Sequence, residues 1–317
     1  MDSTNSVSRP FRLIPEFKDR IWGVSGLKEW FADAPARTIG EAWFTSEDNR
    51  TDCGRALRDL LLENPELLGA GRDGKHPGLC PLLVKLLFTS SRLSVQVHPK
   101  DDYAALYHQS LGKTEAWFVI DAKPEAEVAL GFKQQISAEW FRNAAVSGEI
   151  ENLLDWRPVE PGDTIFVPAG TVHAIGAGLT ICEIQQNSDI TYRLYDYGRP
   201  RELHLEHGCA VSDLGPYLHH FDRKELDAGR TLLAESAYFR IEHLRQKGNP
   251  IVLPGLPYYC LLVSLTGAGT IDGQHFSKAQ VWMVPAHAGA VGLKSDDAEW
   301  LLTYTGIGAV PAVEMRS

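Results

Sequence analysis

The chain predicts a mainly β protein with a small helical part. Two observations predict it. Short apolar runs, broken by Gly, Pro, Asp and Asn, recur from Phe11 onward: GEAWFTSE, LSVQVHP, AWFVIDA, EVALGF, DTIFVPA and TICEIQQ. Their alternation, β-branched and aromatic content and spacing mark strands of a sandwich or barrel. The second half then repeats the rhythm with AYFRIEHLR, YYCLLVSLTGAGTIDG, QVWMVPAHAGAVGL and EWLLTYTGIG.

The elements follow in order. Residues 1–10 are polar and read as a disordered N-terminus. Residues 11–212 read as one β domain carrying helical insertions. LKEWFAD near 27–33 reads as helix, and CGRALRDLLLENPELLG at 53–69 has apolar positions at helical spacing. DDYAALYHQSL at 101–111 and SAEWFRNAAVSGEIENLLDW at 137–156 complete the set. The last opens on Ser137 with an acidic residue in the first turn, an N-cap pattern. Residues 213–235 read as a connector, and 236–317 as a second domain. Within it, GQHF…VWMVPAHAGAV has the outline of PGDTIFVPAGTVHAI, but Ala290 or Val291 stands where the first copy has His173. The second domain is therefore expected to be a metal-free copy of the first.

Composition narrows the function. The 317 residues are 44 % hydrophobic and 23 % charged, ordinary for a globular protein. A formal net charge of −10 argues against nucleic acid or an anionic membrane as partner, since both need a basic face. Five scattered cysteines form no CxxC pair, so neither a disulfide framework nor a thiolate metal site is suggested, and a cytoplasmic location fits. The N-terminus lacks a signal-peptide pattern, and no apolar run approaches the ~20 residues of a membrane span.

The most informative residues are Gln96 and His98, then Glu115, then His173. On a strand, Gln96 and His98 at i and i+2 share a face and can grip a metal like tongs. Glu115 follows after GKT, and His173 sits behind Gly-Asp and Pro-Ala-Gly turns. Two imidazoles, a carboxylate and an amide oxygen suit a borderline divalent ion, with zinc the first choice. The absence of thiolate points to an open, catalytic site.

The stretch GDTIFVPAGTVHAIG resembles the second motif of the cupin superfamily. A glutamine in place of the first histidine, and a helical insertion before the glutamate, narrow the resemblance. LLVKLLFTSSRLSVQVHPKDDYA, GKTEAWFVIDA, PAGTVHAIGAG and EIQQNSDITYRLYDYGR are together similar to type I mannose-6-phosphate isomerases of the short bacterial form. FKDRIWG and IGEAW match as well. The resemblance implies two cupin-type jelly-roll β-barrels and one zinc ion per chain, on Gln96, His98, Glu115 and His173. It further implies an active-site arginine at Arg193, a lysine before the ligand glutamate at Lys113, and phosphate contacts at Lys85, Ser94 and Arg199. Glu183 falls where a proton-transfer carboxylate is expected, and Glu41 is a further pocket candidate.

The implied reaction interconverts mannose 6-phosphate and fructose 6-phosphate through a cis-enediol, with a metal-assisted hydride shift as the alternative. Zinc or Arg193 would stabilise the developing oxyanion, and Glu183 or Lys113 would move protons. Lys85, Ser94 and Arg199 would anchor the phosphate, away from the reacting carbons. The partner is thus a small sugar phosphate, and the chain is expected to be monomeric or a weak homo-oligomer. Isomerisation of another sugar or sugar phosphate, or a non-catalytic sugar-phosphate sensor, are the alternatives; the presence of all four ligands and Arg193 counts against the sensor. Several residues also have plain structural readings. Arg193 could pair with Asp189 or Asp196, Glu183 with Arg193, and Lys85 could snorkel out of its apolar run. His204 and the His219-His220 pair suggest no role, and Cys182 reads as a packing residue.

Overall fold

A computed structural model describes residues 8–70 and 74–305, and the backbone of the strand Glu314–Met315. The chain is mainly β, as its alternating runs require. Two antiparallel sheets face each other in the first half. The six-stranded sheet runs Thr164–Val167, Glu115–Ala122, Leu179–Gln186, Leu82–Phe88, Ile39–Trp43, Glu16–Val24. The five-stranded sheet runs Tyr192–Tyr195, Val95–Val97, His173–Ile175, Glu127–Phe132, Leu154–Pro158. Trp117, Val119, Val128, Leu130, Ile175 and Ile181 fill part of the space between them.

The second half contributes ten strands to a twelve-stranded sheet that folds around its own core, and Phe11–Ile14 and Arg50–Thr51 supply the other two. Cys260–Ile271 is its spine, pairing along its length with Val281–Val284, Asp297–Tyr304, Gln274–Ser277 and Val291–Lys294. Leu253, Leu262, Ile271, Trp282, Trp300 and Leu302 lie inside. The sheets do not respect a cut at residue 212. Phe11–Ile14 pairs with Val281–Val284, so the start of the chain completes the sheet of its second half.

The run Leu82–Phe88 joins the two halves. Leu82, Val84, Leu86 and Phe88 share a core cluster with Leu13, Leu261, Met283 and Leu301 of the other sheet. Lys85 and Leu87 point the opposite way, toward the five-stranded sheet. A strand covered on both faces reads as a continuous apolar run rather than an alternating one.

Several expected boundaries shift. The helix expected at 27–33 is one 3-10 turn, Leu27–Glu29. That at 53–69 is Leu57–Glu63 followed by a 3-10 turn at Pro65–Leu67; proline removes the N–H that would continue the helix. That at 101–111 stops at His108, where Gln109 turns left-handed. That at 137–156 divides. Ser137 caps Ala138–Ser147 by accepting from the Trp140 N–H, and Gly148, at φ 87°, ends it against the Tyr195 ring. Ile150–Leu153 makes one more turn, and Leu154–Pro158 is a strand beside Glu127–Phe132. Residues 224–235 of the expected connector are two strands, Lys224–Asp227 and Arg230–Glu235. Leu205–Val211 forms a helix that the sequence pattern did not mark. Of the stretch expected to be disordered, residues 1–7 lie outside the described residues, while Arg9 pairs with Asp272 at 3.1 Å and Pro10 is buried.

Candidate active site

The four candidate ligands come from the two facing sheets of the first half. Gln96 lies on Val95–Val97 directly opposite His173, the first residue of its own strand. The strand ends before His98, whose carbonyl accepts from the Gly170 N–H at 2.9 Å. Glu115 opens its strand on the other sheet, opposite Val167 and Gln185.

His98, Glu115 and His173 are each at most 1 % exposed, and their nitrogen and oxygen donors lie within 4.8 Å of one another. Glu115 reaches His98 Nε2 at 3.5 Å with one oxygen and His173 Nε2 at 3.4 Å with the other. Both imidazoles have Nδ1 tied to a main-chain carbonyl, His98 to Ile190 and His173 to Thr171, each at 2.9 Å. A carbonyl only accepts, so Nδ1 carries the proton and each Nε2 lone pair faces the centre. Burial, reinforced by the Lys113 ammonium, holds His98 well below the usual imidazole range and His173 down to about 4. The neutral form, which a metal requires, is thus the stable one at neutral pH. The Gln96 amide lies 3.2 Å from His173 Nε2, and half a turn of that amide presents its oxygen instead.

The centre fits a divalent cation. Glu115 Oε2 is buried without a well-directed hydrogen bond, and the charge closest to it is Lys113 Nζ, 2.9 Å away. The same ammonium lies 3.0 Å from His98 Nε2. Burial opposes the Lys113 charge, but Glu115, Glu183 and Asp189 outweigh it and raise its pKa. The donor set therefore already gathers positive charge.

A cleft of about 460 Å³ opens above this floor. Gln96 and Lys113 form its base, with Lys85, Ser94, Glu183, Glu41 and Arg193 on its walls. Lys85, 2 % exposed, lies over the Trp43 ring at 4.4 Å, with Glu183 3.4 Å and Asp189 3.8 Å away. It faces the cleft rather than snorkelling. Glu183 pairs with Lys85 and accepts from Trp117 Nε1 at 3.2 Å, not with Arg193. Glu41 is held by Arg20 at 2.8 Å and by Trp43 Nε1 at 2.6 Å. Arg193 forms no ion pair among the described residues. One of its terminal nitrogens donates to the Glu202 carbonyl at 2.7 Å, while its Nε is buried without a partner. Burial lowers its pKa, helped by Arg201. The backbones of Arg193 and His204 are linked, and His204 Nδ1 accepts from the Arg193 N–H at 3.1 Å, which gives that histidine a structural use.

One expected contact moves. Arg199 does not line the cleft. Tyr197 and Gly198, at φ 54° and 76°, turn the chain so that Arg199 folds back on Asp196 at 2.6 Å and over the Tyr197 ring. Arg201 lines the cleft instead, gripping both oxygens of Asp196 at 2.6 and 2.7 Å. Arg20, Trp43, Trp117 and Arg201 were not singled out from the sequence. Trp117, two residues past Glu115, and Trp43, two residues past Glu41, each on one strand face, carried a signal that could have found them.

Known proteins bear on this arrangement. Residues 10–144 match the phosphomannose isomerase type I catalytic domain. A probable mannose-6-phosphate isomerase of Bacillus subtilis, GmuF, is 36 % identical over 313 residues, covering 89 % of this chain and 95 % of the relative. The chain belongs to the type I phosphomannose isomerase family. A second family member, the mannose-6-phosphate isomerase ManA of B. subtilis, is 34 % identical, with 90 % and 96 % covered. The crystal structure of a mannose 6-phosphate isomerase from B. subtilis superposes with a TM-score of 0.86 at 29 % identity, covering 93 % of this chain and 99 % of that one. A mannose 6-phosphate isomerase crystallised with zinc shares the fold, with a TM-score of 0.77 at 15 % identity over 94 % of this chain and all of that one.

Proposed function

We propose that this chain isomerises mannose 6-phosphate and fructose 6-phosphate, with one zinc ion held by Gln96, His98, Glu115 and His173. The supporting observation is a neutral-imidazole and carboxylate donor cluster at the floor of a cleft whose walls carry Lys85, Glu183, Arg193 and Arg201. The family supplies the substrate, and the donors supply the choice of metal. When bound, the ion would act as a Lewis acid beside the substrate oxygens.

The chain's own residues divide the remaining work. Glu183 is a buried carboxylate on the cleft wall and serves as the base that moves a proton between the first two carbons, through a cis-enediol. Lys113 holds a proton within reach of the floor and can return it to a hydroxyl. Arg193, which forms no ion pair among the described residues, offers fixed positive charge to a developing oxyanion. Arg201 and Ser94 form the end that would bind the anion, with Arg201 in the place expected for Arg199, while Lys85 stays beside Glu183 at 3.4 Å. We further infer one active centre per chain, with 236–317 as a second cupin-like barrel without metal. There Val291 opens its strand as His173 opens its own, and offers only a buried methyl pair.

A substrate panel tests the reading. Purified protein should convert mannose 6-phosphate to fructose 6-phosphate, lose that turnover to a chelator and regain it with zinc. In deuterated water, label should enter the product at the carbon that receives the proton. Turnover restricted to a different aldose phosphate, or transfer without any solvent label under all conditions, would count against substrate or mechanism respectively.

A further inference from the structure

Four residues form one rung across the six-stranded sheet: Trp43 is registered to Lys85, Lys85 to Glu183, and Glu183 to Trp117. Directly opposed residues of an antiparallel sheet have Cβ atoms about 5 Å apart on the same face. The rung therefore brings an ammonium and a carboxylate together between two indoles. The Trp43 ring lies under Lys85, and its N–H is committed to Glu41. Trp117 is wholly buried, and its N–H is shared between two acceptors: Glu115 Oε1 at 3.1 Å and Glu183 Oε1 at 3.2 Å. Each of those carboxylates has its other oxygen beside a lysine, Glu115 with Lys113 at 2.9 Å and Glu183 with Lys85 at 3.4 Å. The Trp117 ring also packs edge-on against His173, with centroids 5.3 Å apart.

We propose that Trp117 is a positioning residue for Glu183, its indole N–H fixing which edge of that carboxylate faces the cleft. The inference rests on the proposed role of Glu183. Without the indole donor, Oε1 of Glu183 has no hydrogen-bond partner among the described residues. The carboxylate is then free to turn toward Lys85 and close on it as a tighter pair, with its lone pairs drawn away from the substrate. A base must lie within hydrogen-bond reach and direction of the proton it takes, so a turn of this kind acts on the chemical step more than on binding. The shared donor also ties the orientation of Glu183 to that of Glu115, across the junction of metal floor and cleft wall.

Trp117→Phe tests this, because it keeps a ring against His173 and removes the N–H. In the zinc-loaded enzyme, kcat for mannose 6-phosphate should fall about tenfold or more, with KM within twofold and one zinc retained. A double-mutant cycle separates positioning from general damage. In the Glu183→Gln background, adding Trp117→Phe should change kcat by less than about threefold. Effects that multiply, or a Trp117→Phe enzyme with unchanged kcat, overturn the inference. A wild-type enzyme inert toward mannose 6-phosphate removes the functional reading and the inference together. A fully active Glu183→Gln enzyme removes the inference while leaving the isomerase. If Trp117→Phe does not fold, the indole N–H proton resonances of the chain's eight tryptophans, compared between wild type and Glu183→Gln, decide. The Trp117 signal should move upfield on loss of the carboxylate charge; no movement overturns the inference.

Discussion

Both halves of the molecule bury charge, and they bury it differently. In the second half, Glu242 is fully buried and accepts from Arg230 at 2.5 Å, Arg240 at 2.8 Å and Tyr304 at 2.8 Å. Its two oxygens are saturated by two guanidinium groups and a phenol, and the Tyr304 ring stacks on Tyr258. In the first half, Glu115 Oε2 and Arg193 Nε are buried without a directed partner, and Lys85, Glu183 and Lys113 border an open cleft. A saturated buried network fixes a structure. Buried charge with unused valence, next to a cavity, is poised to meet something else.

That contrast can be broken. The largest effect is expected at the metal floor: His173→Ala should cost metal binding and about a thousandfold or more in turnover, roughly 4 kcal/mol of barrier. Metal analysis alongside kinetics checks it, and a metal-free variant with near-normal activity would end the assignment. Next comes Glu183→Gln, expected to lower kcat by about 10²–10⁴-fold while metal content stays at one per chain. In the second half the sign of the comparison reverses. Glu242→Ala leaves two buried guanidinium groups without their carboxylate and should cost about 3–5 kcal/mol in denaturant unfolding. Activity per folded molecule should stay within about twofold. If turnover falls and stability holds, the second half takes part in catalysis and the contrast fails. The smallest effect is expected from Arg201→Ala, which removes one proposed charged contact to the phosphate, about 1.5–3 kcal/mol. KM should rise about 10- to 150-fold, with kcat nearly unchanged. The same outcome from Arg199→Ala would restore the expectation drawn from sequence.

Much of the metal floor was legible in the chain, since Gln-x-His on a strand and a histidine after a Pro-Ala-Gly turn are local patterns. The fold class was legible for a similar reason, because period-2 alternation is a property of neighbouring residues. What could not be read depends on distant pairing. Lys85, Glu183 and the two indoles meet only through sheet register, and 98 residues separate the lysine from its glutamate. Arg201 rather than Arg199 lines the cleft because two left-handed residues reverse the chain just before Arg199, and a pattern two residues out of step gives no warning. The strands at 224–235 looked like a connector because one of them, Lys224–Asp227, is a polar edge strand. Helix ends moved for local reasons, a proline at 65 and left-handed caps at 109 and 148.

The central claim is that His98, Glu115 and His173, with Gln96, hold a single ion on which turnover depends. Zinc titration of stripped protein, with metal content and mannose 6-phosphate isomerisation followed together, tests it most directly. Activity should rise in proportion to bound zinc and level off at one ion per chain. Activity that ignores zinc, or that needs two ions per chain, would contradict the account.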